Sequence, residues 1–216
     1  MFTKFQERHI QFLEILDVFY KKIPLLLEGA DLTSQAASFQ NVLNHCERLW
    51  RDAVLLFNRG SFPTACFLAI NCLEQVGKAV PTRLALKVSS LKNEAIDLTL
   101  PVGIRRKDNP FYKHPEKHFL AAGFGVLFSP RLIDTLGKND FDEVLTTMET
   151  HDLERLREQC LYVDFSDTGL NWPEIGVSKE ESRKWIIVAG ECLLTVLGFP
   201  ENQWQRLRSL IKDFGK

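Results

Sequence analysis

The chain has 216 residues and a formal net charge of −1, with 45% apolar and 25% charged residues. This is an ordinary globular composition, long enough for one well-packed domain with appended helices, and it excludes a disordered chain. The near-neutral balance also excludes any argument for nucleic-acid binding from bulk charge, so such a role must rest on a local patch.

The start, "MFTKFQERHIQF", is too charged for a signal peptide, and no run of about 18 apolar residues predicts a transmembrane helix. A cytoplasmic protein without membrane contact is expected. Residues 3 to 28 read as an N-terminal helix ending near Pro24. The next segment is the most periodic in the chain. Phe39, Val42, Leu43, Cys46, Leu49, Trp50, Ala53, Val54 and Phe57 recur at helical spacing and form one long stripe. Gly60 stops this helix. Ser61 then serves as N-cap and Pro63 fits a first turn. The second stripe is Phe62, Ala65, Cys66, Ala69, Cys72, Leu73, Val76 and Val80. Two long amphipathic helices joined by so short a turn must fold back antiparallel, over about residues 36 to 80.

Residues 81 to 112 read as mixed, with Pro101, Gly103 and Pro110 marking a loop. A helix is expected from Pro115 through "EKHFLAAGFGVL". "DFDEVLTTMETHDLERLREQCLYVD" reads as one long helix capped by Asp140 or Asp142, and "SDTGLNWPEIG" as a loop. "SKEESRKWIIVAGECLLTVLG" opens with Ser178 and Glu181 at capping-box spacing and stops at Gly198. "ENQWQRLRSLIKDF" is a short terminal helix. The fold class is all-α. The expected division is an N-terminal helix and connection at 1–35, a helical domain at 36–200, and a C-terminal helix at 201–216 packed on the same domain. The five cysteines, Cys46, Cys66, Cys72, Cys160 and Cys192, are widely spaced and odd in number, which suits buried free thiols.

No phosphate-binding glycine loop, zinc-protease motif or nucleophile elbow is present, and neither a metal nor a cofactor is expected. Three polar constellations remain. In "LEQVGK", Glu74 and Lys78 are four apart on one helix face, which suits a surface ion pair. Gly77 between them costs about 1 kcal/mol relative to Ala in a helix interior, which suggests that another backbone or a ligand comes close. In "RRKDNPFYKHPEKH", Arg105, Arg106, Lys107, Lys113 and Lys117 face only Asp108 and Glu116, a local charge of +3. Pro115 suits the first helical position, which sets His114, Lys117 and His118 at one surface. A neutral imidazole could take a 2′-hydroxyl proton and an ammonium could stabilise a phosphate, or the cluster is a solvated helix start. In "LREQCLYVDF", Arg157 suits a helix C-terminus, and Tyr162 either stacks on a base or packs with its hydroxyl at the rim.

Taken together, the hairpin, the E-x-x-G-K of Glu74, Gly77 and Lys78, the F-x-x-H-x-x-K of Phe111, His114 and Lys117, and the element from Arg157 to Asp164 resemble the AbiV family of abortive-infection proteins, within the HEPN superfamily. The resemblance covers about residues 36 to 198. It implies a HEPN-like helical bundle built on the long hairpin, a role in phage resistance, and RNA or a phage or host protein as partner. It also implies a homodimer and metal-independent RNA cleavage. On that reading His114 and Lys117 are the catalytic pair. Glu74, Lys78, Arg105, Arg106, Lys107, Lys113, His118, Arg157 and Tyr162 would contact RNA or a partner. The chain departs from the superfamily in one respect. The usual signature is Arg, four to six residues, then His, whereas seven residues separate Arg106 from His114. A non-catalytic protein that binds its partner through the basic cluster is the alternative.

Overall fold

The computed structural model describes residues 32–92, 130–150, 152–166 and 169–197, with positions 205, 208–211 and 214 near the C-terminus. Two long helices, α1 (Leu32–Asn58) and α2 (Phe62–Lys92), form the antiparallel hairpin. The turn works as the sequence suggests. Gly60 has a φ of 82°, a left-handed conformation open to glycine, and its N–H donates to Phe57. Ser61 precedes the new helix, its carbonyl accepts from Ala65 N–H, and its hydroxyl meets that of Thr64.

Three shorter helices follow: α3 (Pro130–Leu136), α4 (Lys138–Glu149) and α5 (Asp152–Gln159). A two-stranded antiparallel ribbon comes next, β1 (Asp164–Ser166) against β2 (Gly169–Asn171), with Phe165 opposite Leu170. Then come a single turn, α6 (Pro173–Gly176), and the long α7 (Lys179–Leu197). The fold is all-α, with the ribbon as a small appendage.

Helix α2 is central and packs against both α1 and α7. Among its buried residues are the small Ala65, Cys66, Ala69, Cys72, Val76 and Ala79, which let neighbouring helices approach closely. Helices α1 and α7 also meet directly. The indole N–H of buried Trp50 donates to the carbonyl of Ile186 at 2.8 Å. Gly190, one turn further along α7, leaves room for that ring. A Cβ there would lie 2.8 Å from Trp50 Nε1 and 2.8 Å from Ile211 Cδ1. Phe57 stacks edge-on with Phe62 and Phe214, and Arg183 Nε donates to the Phe214 carbonyl.

All five cysteines are free and buried. The Cys72 thiol donates to the Cys46 carbonyl at 3.4 Å across the hairpin. Its partner Cys46 and then burial raise the pKa of Cys72. Cys160 and then burial do the same for Cys66, and burial does so for Cys192.

Several sequence expectations are corrected. Helix α2 continues beyond Pro81 to Lys92, where a mixed region was expected. Pro81 has no N–H for the carbonyl of Gly77, four residues earlier, so the helix loses one ladder bond and goes on. The expected long helix after residue 140 is two helices, α4 and α5. Thr146, Thr147 and Thr150 turn their hydroxyls back onto the carbonyls of Asp142, Glu143 and Thr146, a bonding mode that bends helices. The Thr150 hydroxyl also lies 2.7 Å from the Asp152 carboxylate, at the start of α5. The N-cap of α4 is Gly137, with a φ of 79°, instead of Asp140 or Asp142. The expected loop at "SDTGLNWPEIG" contains most of the ribbon and α6. At α7, Ser178 caps through its hydroxyl to the Glu181 N–H at 3.0 Å. The Glu181 carboxylate serves Trp185 and Lys184. The N-terminal helix and the helix expected from Pro115 lie outside the described residues, as does much of the C-terminal segment.

Two outcomes test this packing. Gly190→Ala should destabilise the protein by about 1–3 kcal/mol in urea denaturation, because the added methyl overpacks the Trp50 contact. Gly176→Ala, with nothing within 4 Å of its Cβ, should change stability by less than about 0.5 kcal/mol. An aromatic disulfide reagent at neutral pH should leave the thiols of the native protein essentially unreacted, since all five are buried away from it. It should then count all five once guanidinium unfolds the chain.

Candidate functional site

Two of the three polar constellations meet. Glu74 lies on the central helix, and its side chain is 3% exposed. Its carboxylate faces the guanidinium of Arg157, on the last turn of α5, at 3.6 Å. Arg157 is also held by Glu154 one turn earlier on its own helix, through Nη2 and Nε. Burying a carboxylate is costly without a cation, so this pair holds α5 against α2. The hydrogen bond that Arg157 donates to Glu154 raises its pKa, burial lowers it, and the nearby charges of Glu154, Glu74 and Glu158 raise it further. The guanidinium is fully charged and largely neutralised by its two carboxylate partners. It acts as a clamp between the two helices.

Lys78 is exposed, and its ammonium donates to Gln75 at 3.2 Å. The expectation of a surface pair between Glu74 and Lys78 is therefore corrected. They are four residues apart, but Glu74 faces the interior and Lys78 the solvent. Gly77 is buried. With proline at 81, its carbonyl lacks the usual helical donor at the same turn that carries Glu74. Tyr162 is exposed, just past the end of α5. The structure thus joins Glu74 to Arg157 and leaves Lys78 and Tyr162 on the surface. His114, Lys117, Arg105, Arg106, Lys107, Lys113 and His118 lie outside the described residues.

A second polar cluster was not anticipated. Lys184 on α7 is nearly buried and pairs with Glu143 of α4 at 2.8 Å and Glu181 at 2.6 Å. Burial lowers its pKa, but the hydrogen bonds to Glu143 and Glu181 outweigh that and leave it raised. The Trp185 indole donates to the other Glu181 oxygen. The capping spacing of Ser178 and Glu181 was visible in the sequence. The distant partner, Glu143, had no sequence signal.

The chain matches the family model for AbiV, HEPN_AbiV, over residues 36–194. It belongs to the AbiV family. The match spans both hairpin helices, Glu74, Arg157 and nearly all of α7. Membership makes this a protein of abortive infection in phage defence. No curated protein and no solved structure matches it. Among the described residues no helix is long and apolar enough to cross a membrane.

The clamp has a measurable weight. Arg157→Ala removes the guanidinium that faces the buried Glu74 carboxylate. It should cost about 1–3 kcal/mol in chemical denaturation. Glu74→Gln keeps an acceptor for Arg157 and should cost less than half as much. Equal losses for both substitutions would refute the clamp.

Proposed function

We propose that this AbiV-family protein is an RNA-targeting toxin that arrests growth of infected cells, with the basic segment 105–118 as its RNA-facing element. The observation that carries the reading is the family match over a chain that also holds the F-x-x-H-x-x-K of Phe111, His114 and Lys117. In the proposed reaction His114 takes the proton of a 2′-hydroxyl. The freed oxygen attacks the adjacent phosphorus and the 5′-oxygen leaves with a proton. The products are a 2′,3′-cyclic phosphate and a 5′-hydroxyl, and no metal is needed. Lys117 and His118 would stabilise the phosphate charge. Arg105, Arg106, Lys107 and Lys113 would hold the backbone, with Lys78 as an exposed cation on α2. Glu74 and Arg157 take a supporting part, since their charges are already spent on each other. Tyr162 is exposed and would offer its ring to a base.

A second reading has one specific observation in its favour, the missing Arg-x4–6-His signature. On that reading the protein is not catalytic, and arrests growth by binding a phage or host protein through the basic cluster. One experiment separates the two. Wild-type, His114→Ala and Arg105→Glu/Arg106→Glu/Lys107→Glu proteins are induced in bacteria, with and without phage, and RNA ends are sequenced. Cleavage should yield cyclic-phosphate ends, persist in purified protein with EDTA, and fall by about 100-fold or more in His114→Ala. If toxicity survives His114→Ala but is lost on charge reversal, the binding reading replaces the catalytic one.

A further inference from the structure

We draw no further inference here: the strongest candidate, the exposed apolar patch around the ribbon at Leu170, Trp172 and Ile175, carries none, because nothing in the structure shows what covers it.

Discussion

The packing of this protein turns on the contact between Trp50 and the backbone of α7. A buried indole must satisfy its N–H, and here it does so on the Ile186 carbonyl. The ring can come that close only because residue 190 is glycine. This one contact fixes the distance between the first and last long helices. Helix α2, with its row of alanines and cysteines, packs against both. A wider separation would leave voids around those small side chains, and a narrower one would crush the ring.

The same economy governs the polar interior. The described part of the molecule places one carboxylate, Glu74, inside the central helix and answers it with Arg157 from a helix that follows more than eighty residues later. A second pairing, Lys184 with Glu143 and Glu181, ties α4 to α7. Both bind a short peripheral helix to a long core helix. The charges that look most available for chemistry in the sequence thus divide into two kinds. Some are spent on the architecture, and others, such as Lys78, remain outside.

The hairpin was legible because helix periodicity and turn chemistry are local. Phe39 to Phe57 and Phe62 to Val76 spell out their faces, and Gly60 and Ser61 spell out the turn. The pairing of Glu74 was not legible. Spacing offered Lys78 as its partner, and only tertiary packing brings Arg157 there. One clue did exist, since Glu74 shares a helix face with Ile70 four residues before it and Gly77 three after it, and neither is polar. The ribbon was missed for another reason. Strands of three residues are too short to show alternation, and Leu170, Trp172 and Ile175 are exposed, so no buried face patterned them. Pro81 misled in the opposite direction, since a residue that commonly ends a helix here costs only one backbone bond. The segment 105–118 stood out by its composition, which is a matter of charge and needs no fold to be read.

The break between α4 and α5 gives the chain a corner. Had residues 138–159 formed one straight rod, Glu143 and Arg157 would lie about 21 Å apart along a single axis, nearly on one face. Such a rod would have to lie along α7 or along α2. With the corner at Thr150, α4 is moored to α7 by Lys184 and α5 to α2 by Glu74. The stretch that leads into the ribbon is thus tied to two different core helices, one on each side of the joint.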